Sequence, residues 1–571
     1  MNNMTSREHF RDPKDSYIEH IKTRRENYIS SIMGNTIPLS IEHSIMLAKK
    51  NVDSIAGEYL DPDLKENLGN IYKKTTKKYK LFTEKARESL NMFYQGKISV
   101  EVAHQPKFMG GEKFVFNKIA LGGILSSFDD DFYPFYYLAD YDKVHGELIR
   151  THMSLVNSGS GFPVSIPSAD EAKHDGTSIR LLPIPNEAYM EELYEQIRKN
   201  YTFSISSCIE SGYQQSLLEE RVEATIKHIK LAYHRASTYN DWFLNIIGPI
   251  ANIFNDYGFL FVISSDPEYR KLLTPFYEYL LQNRNKYVDQ YRRLSQQFKE
   301  KGFEPPLRSI DKGFVPFFYE CPNENCFKQR VLLSAEETDS MVVLQGKCDV
   351  CGTLHEIITN KSKPDLSDYY IHLTPRVESR QYLVSKTSAP AIHIAGTGET
   401  RYYTMSIPLM RRIDDSILLP VIHFYNKITT NTFITRCLEE EIKRIIPDKY
   451  LNSLKSLMKN LGKFKKKLKK SRVDEKQVRD DILSYLTRIK NDMENIEKLC
   501  DNTINKVQPE ESNMLKSYLS NLFGKIAVEK HGQEAVFHWI DLVIKHGFDG
   551  LLNDYRQIYK KQTPPGFESF A

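Results

Sequence analysis

The sequence predicts an α/β protein built on an open parallel sheet, and three observations carry that reading. Five short apolar or β-rich runs are separated by stretches with helical spacing. The runs lead into glycine or carboxylate clusters, and helix-start signals follow those clusters. Strand, polar turn and helix therefore alternate, as a parallel sheet with helical crossovers requires. In such sheets ligands gather at the carboxyl ends of the strands, where these polar clusters fall.

The first 95 residues carry apolar positions at helical spacing among many charges, with Gly and Pro between segments, and read as a helical layer. Residues 98–103 form the first strand-like run, followed by a turn with Pro106, Gly110 and Gly111 and a helical stretch over about 113–126. The second run, 133–139, ends in Asp140, Asp142, His145 and Glu147. The third, 259–263, leads into Ser264-Ser265-Asp266-Pro267, a capping side chain followed by proline at the first helical position. The fourth, 391–395, runs into Gly396-Thr397-Gly398-Glu399 and another helix, and the fifth, 417–424, follows Asp414-Asp415. Beyond Pro447, Leu454, Leu457, Leu461, Phe464 and Leu468 make a heptad seam, and a second seam runs from Ile482 to Val507. The short break at 471–474 suits a helical hairpin, an antiparallel coiled coil that folds back within the chain or is extended by a second chain. The expected division is a helical layer 1–95, core 96–315, a metal-binding insertion 316–360, core 361–445, a coiled-coil hairpin 446–510, and helices 511–571 packing back on the core.

Composition excludes several classes. Among 571 residues, 78 Lys+Arg against 74 Asp+Glu leave a net charge of +4, with 40% hydrophobic and 27% charged residues. That is the balance of a globular protein with a large core. No run reaches the ~18 apolar residues of a membrane helix, and the polar start at 1–16 is no secretory signal. Seven cysteines are too few for a disulfide scaffold. The expected location is the cytoplasm.

The strongest local motif is Cys321-x4-Cys326 followed by Cys348-x2-Cys351-Gly352. Two close cysteine pairs supply four thiolates from two tight turns, the donor set of tetrahedral zinc. Four thiolates close the coordination sphere, so the expected metal is structural, and His355 is expected to lie outside the site. The Gly396–Glu399 loop lets backbone approach a ligand, and the helix behind it favours an anion. Arg376, Arg380 and Arg401 are candidates to clamp oxyanions. With His104, Gln105, Asp140 and Asp142 at other strand ends they outline a polar pocket for an anionic substrate. The basic run 463–470 has Lys at six of eight positions, but the following stretch 474–501 is acidic, with eight acidic and five basic residues. That pairing reads as a solvated coiled-coil face rather than a nucleic-acid site.

Several of these segments resemble a known family. Val102-Ala103-His104-Gln105-Pro106-Lys107-Phe108-Met109-Gly110-Gly111, leading to Lys118, looks like the first sheet loop of the bacillithiol-biosynthesis cysteine-adding enzymes, BshC. Ser265 to Leu273 resembles that family's strand-then-helix start. Leu373-Thr374-Pro375-Arg376-Val377 through Arg380, then Ile394 to Glu399 and Tyr402-Tyr403, resembles its most specific block. The resemblance implies a Rossmann-like core, related in architecture to class I aminoacyl-tRNA synthetases, with a dimerising C-terminal coiled coil. It implies a ligase joining L-cysteine through its carboxyl group to the amine of an amino-sugar acceptor, glucosaminyl malate. Activation of a carboxylate normally calls for ATP.

On this reading the pocket comprises His104, Gln105, Gly110, Gly111, Lys118, Arg376, Arg380, Gly396, Gly398 and Glu399. Asp142, His145, Glu147 and His104 are the candidates for acid–base work, freeing the acceptor amine as a nucleophile. The chain also departs from the family pattern. Lys143 and Val144 occupy a His-Asp pair in the second sheet loop, Lys107 stands where glycine is usual, and Glu112 where proline is usual. The zinc ribbon is an insertion. Two alternatives remain open: a class I synthetase-like or nucleotidyl-transferase-like enzyme, for which Leu383–Ser388 faintly echoes a KMSKS loop, and a zinc-ribbon nucleic-acid scaffold.

Overall fold

The computed structural model describes residues 10–429 and 533–570, apart from positions 35, 56–59, 156–157, 207–213 and 562, together with the single positions 456, 488 and 491. Apart from those three positions, the coiled-coil hairpin expected over 446–510 lies outside the described residues.

Five strands form a parallel sheet: β1 (Ile98–His104), β2 (Phe132–Leu138), β5 (Leu260–Ile263), β11 (Pro390–Ala395) and β12 (Val421–Phe424). Between them in the chain lie the antiparallel hairpin β3 (Arg150–Leu155) and β4 (Ser158–Ser165), and the strands β6 (Phe314–Glu320), β7 (Arg330–Glu337), β8 (Met341–Lys347), β9 (Leu354–Asn360) and β10 (Leu373–Pro375). Two closing strands, β13 (Lys427–Thr429) and β14 (Glu568–Phe570), pair in parallel. The central sheet has the order β12-β11-β1-β2-β5, all neighbours parallel. Numbered by their appearance in the chain, its strands run 5-4-1-2-3. The chain steps outward from β1 to β2 and β5, then returns to the other side of β1 as β11. The order therefore reverses between β1 and β11, the switch point at whose carboxyl ends an open α/β sheet forms its ligand crevice.

The five runs read from sequence are these five strands. Their side chains alternate between two cores, as a two-residue period dictates. Val100, Val102, Phe132, Tyr136, Phe261, Ile392 and Ile394 fill one. Ala103, Tyr133, Phe135, Tyr137, Leu260, Val262 and Ile422 fill the other. With both faces covered, β2 reads as the unbroken apolar run Phe-Tyr-Pro-Phe-Tyr-Tyr-Leu, every residue buried. Each fully buried apolar side chain of this size contributes about 1.5–3 kcal/mol.

The crossover from β1 to β2 is the helix Lys113–Ser127, buried almost all round. Gly122 and Gly123 let it sit close: a Cβ at Gly122 would lie 2.5 Å from Val102, and one at Gly123 2.3 Å from the Tyr257 ring. The helix Pro267–Gln282 starts where the sequence signals it, with Asp266 Oδ1 accepting from the Glu268 and Tyr269 amides at 2.9 and 3.3 Å. The helix Thr397–Ile413 joins β11 to β12. Ahead of the sheet, the helices Pro13–Thr23, Tyr28–Met33, Ile41–Asp53, Pro62–Lys78 and Glu84–Tyr94 supply the helical layer. A second, antiparallel sheet has the order β10-β6-β7-β8-β9. Among the described residues no helix is long and apolar enough to cross a membrane.

Candidate functional site

The end of β1 places His104 and Gln105 at the crevice, and the end of β11 places Gly396 to Glu399 opposite them. Gly396 precedes the helix Thr397–Ile413, and its amide donates to Glu399 Oε2 at 2.7 Å. A side chain at Gly396 would crowd that oxygen at 3.2 Å and the Tyr425 ring at 3.3 Å. Gly398 is exposed, and a Cβ there would meet nothing within 4 Å. Its amide belongs to the first helical turn, whose N–H groups have no partner within the helix and draw anions.

Lys118 rises from the crossover helix into the same place. Its Nζ lies 2.5 Å from Glu399 Oε2 and 3.3 Å from the Ala103 carbonyl. Glu399 begins a buried chain of charges. Its Oε1 is 3.5 Å from His393 Nε2, and His393 Nδ1 is 2.9 Å from Glu101 Oε2. Glu101 in turn accepts from Arg380 Nη2 at 2.6 Å and Gln381 Nε2 at 3.0 Å, and Gln381 Oε1 accepts from Tyr403 OH at 2.9 Å. Burial alone would raise the Glu101 carboxyl, but His393 and Arg380 outweigh it and hold it down at about 2. Burial would likewise lower His393, and Glu101 and Glu399 outweigh that and raise it. Glu399 lies well below the ordinary carboxylate range because Lys118 and His393 overcome its burial. The chain thus holds two carboxylates between Lys118 and Arg380, a balanced set that tolerates desolvation only as a whole.

His104 faces the crevice in one protonation state. Burial, with Lys118 and Lys107 nearby, pushes its imidazole down to about 3. Nδ1 lies 2.8 Å from the Gln105 carbonyl, an acceptor, so the proton sits on Nδ1 and the Nε2 lone pair is left for a donor. Gln105 Nε2 donates to Asp142 Oδ2 at 2.9 Å, bringing the ends of β1 and β2 together. Asp142 Oδ1 accepts from Arg330 Nη2 at 2.9 Å and from the Lys143 amide at 2.8 Å. Burial would raise Asp142, but Arg330, Gln105 and the Lys143 amide keep it below its ordinary value. It is an anion near neutrality, able to orient or accept a proton but not to donate one.

His104, Gln105, Lys118, Asp142, Gly396, Gly398 and Glu399 therefore gather at the crevice. His145 and Glu147 are exposed, His145 just before and Glu147 within the short helix Gly146–Ile149 that follows Asp142. Gly110 and Gly111 lie in a buried turn at φ 88° and 84°, Gly110 against Trp539, whose indole donates to the Met109 carbonyl at 2.9 Å, and Gly111 against the Lys107 side chain. The Arg376 guanidinium is stacked on Phe314 and Phe318, 4.4 and 4.9 Å from the ring centroids. Arg401 pairs with Glu304 and Asp12. Asp140 is buried and binds Ser264, Ser265 and Asn240, tying β2 to β5. Leu383–Ser388 is the end of the helix Val377–Ser388, largely buried, and has no loop character.

Sequence reasoning missed His393, Glu101 and Gln381. The signal was present: a Glu and a His interrupt the buried runs of β1 and β11. The departures Lys107 and Glu112 prove to be partners, both buried, with Nζ 2.5 Å from Oε2.

The four cysteines converge at the edge of the second sheet. Cys321 follows β6, Cys326 lies in the next turn, and Cys348 and Cys351 follow β8. Their sulfurs all lie within 4.8 Å of one another, and those of Cys321 and Cys351 are 3.8 Å apart. A tetrahedron of ~2.3 Å metal–sulfur bonds has an edge of about 3.8 Å, so this donor set fits one metal ion. His355 contributes no atom to it.

A family model described as "Bacillithiol biosynthesis BshC, N-terminal Rossmann-like domain" matches residues 173–407, a span that contains β5, the cysteine cluster, β11 and the Gly396–Glu399 loop. "Putative cysteine ligase BshC" of Bacillus cereus (strain G9842) is 22% identical over 345 residues, which cover 60% of this chain and 56% of that protein. The likeness thus spans little more than half the length of that relative.

Proposed function

We propose that this chain, which is similar to the BshC family over residues 173–407, is a ligase of that family that joins the carboxyl group of L-cysteine to the amine of an amino-sugar acceptor such as glucosaminyl malate. The observation that carries this reading is the crevice between β1 and β11, where an anion-favouring helix start, Lys118 and a neutral imidazole meet. The Gly398 amide and its neighbours in the first helical turn would take a phosphate of ATP or a malate carboxylate, Gly396 leaving the approach clear of a side chain, with Lys118, oriented by Glu399, as counter-charge. His104 Nε2 would accept a hydrogen bond from the acceptor amine, and Asp142, held by Gln105, would orient that amine and take its proton. His145 and Glu147, exposed beside Asp142, would be further candidates for the acid–base work, while Gly110 and Gly111 shape the turn after β1. Arg380 would act from beneath by fixing Glu101, and Arg376 would brace the neighbouring helix. The cysteine cluster would hold a structural zinc ion. The protein would work in the cytoplasm as a homodimer joined through residues 446–510.

Comparing low-molecular-weight thiols and free amines by mass spectrometry, in cells with and without the gene, tests the activity. Loss of one thiol with build-up of its cysteine-free amine is the expected outcome; an unchanged thiol pool overturns it. Gly398→Leu tests the site. The side chain enters open space, so metal content and folding should match the parent while product falls by about two orders of magnitude or more, as when an anion-stabilising contact is blocked. Full turnover in that variant would move the site elsewhere.

A further inference from the structure

Asp142 and the cysteine cluster are joined by a short run of contacts. Arg330, whose guanidinium lies 2.9 Å from Asp142, is the first residue of β7. The residue before it, Gln329, closes the first cysteine turn: its amide donates to the Cys326 carbonyl at 2.9 Å and its carbonyl accepts from the Cys321 amide at 2.9 Å. Arg330 is stacked on Phe318, 4.9 Å from the ring centroid, and it pairs across the sheet with Glu320. Glu320 is buried and held by both Arg180 and Arg270.

The tip of the same turn makes a second connection. Phe327 and Lys328 have φ of 45° and 55°, a left-handed conformation that is strained for a residue with a side chain. The Phe327 ring packs on His174 at 4.7 Å, and its carbonyl accepts from the Ser178 amide at 3.4 Å. Residues 174–179 are in turn laced to the Asp142 loop: the Val144 amide donates to the Thr177 carbonyl at 2.7 Å, and the Ile179 amide to the Asp142 carbonyl at 2.8 Å.

We propose that the metal-loaded cysteine turn is a brace for the candidate catalytic loop, with Arg330 as the positioning residue that sets the Asp142 carboxylate. A metal ion bound to Cys321 and Cys326 anchors the 321–329 turn, whose strained residues Phe327 and Lys328 lie between Cys326 and the closing Gln329. The turn fixes Arg330 and Phe327, and these fix Asp142 from its carboxylate and from the 174–179 strip. The inference rests on the proposed ligase reading only in counting Asp142 as a site residue.

Hydrogen exchange of the full chain, read by mass spectrometry before and after chelation and after reloading with zinc, tests it without any substrate. Exchange should accelerate about tenfold or more, the equivalent of ~1.4 kcal/mol, over 321–330 and also over 142–149 and 174–179. It should be unchanged in β1 and β11 and restored by zinc. Opening of 321–330 with no change over 142–149 overturns the brace. Arg330→Ala, metal still bound, should loosen 142–149 alone, and Arg330→Lys should recover part of the protection. Unaltered exchange in Arg330→Ala overturns the role of Arg330, and this variant still decides the matter if chelation unfolds the chain. In a ligase assay Arg330→Ala should lower kcat about tenfold and move KM for cysteine less than about twofold. Coupled exchange in a chain with no ligase turnover would sink the proposed activity and leave the brace standing.

Discussion

Glu534 is a buried carboxyl whose surroundings cannot hold it charged. Asn117 Nδ2 lies 2.7 Å from Oε1 and the Ile428 amide 3.0 Å from Oε2, yet burial outweighs both and pushes it up to about 8. A folded-state value above the ordinary glutamate value stabilises the protein below that ordinary value, and the contribution is lost as pH rises through about 8. Glu534→Gln should therefore flatten the fall in stability between about pH 5 and 9, whatever its effect on the level, as read from denaturant midpoints across that range. A fall equally steep in the variant would assign it to other groups. Buried His104, His423 and His538 have the opposite slope. Burial pushes them down to about 3, 3 and 4, so their contribution is complete above the ordinary histidine range and is lost as pH falls. At this scale the sequence is least legible. Lys107 and Glu112 read as two separate oddities, and only folding reveals them as one ion pair. Arg330 and Asp142 are 188 positions apart, a distance no local pattern spans.

At the scale of elements the sequence is far more legible, for physical reasons. A strand covered on both faces must be apolar throughout, so β2 and β11 announce themselves; a helix start must satisfy its free amides locally, so Asp266-Pro267 does the same. The helix Lys113–Ser127 was legible in position but not in its packing, because closeness to the sheet depends on which ring lies opposite its glycines. Gly123→Ala puts a methyl 2.3 Å from the Tyr257 ring. It should destabilise by about 1–3 kcal/mol, the cost of overpacking a filled core, against a gain in helix propensity of under ~1 kcal/mol. Thermal unfolding compared with the parent measures the balance, and a stabilised variant would show that Tyr257 moves aside freely. Leu383–Ser388 gives the converse lesson: a short string resembling a synthetase loop is a buried helix end, because its own Leu383 and Val384, with Tyr382 before it, belong to the core.

For the whole molecule, an α/β class follows from alternation alone, but the order 5-4-1-2-3 does not. Nothing in the runs themselves says which strand lies beside β1, and it is that neighbour relation which creates the crevice. The long passages between β2 and β5 and between β5 and β11 also conceal how the second sheet reaches the first. The closing pair, β13 with β14, carries a consequence for the covalent architecture. Residues 427–429 leave the core beside the strand by which the chain finishes, and Glu534 already grips the Ile428 amide. The described chain therefore breaks off at 429 and resumes at 533 at neighbouring points, which a short linker can bridge. A chain in which a short Gly/Ser linker joins 429 to 533 should retain the parent's core hydrogen-exchange protection and metal content, and sediment as a monomer. Collapse of the core in that shortened chain would mean that residues 430–532 contribute to the core's stability.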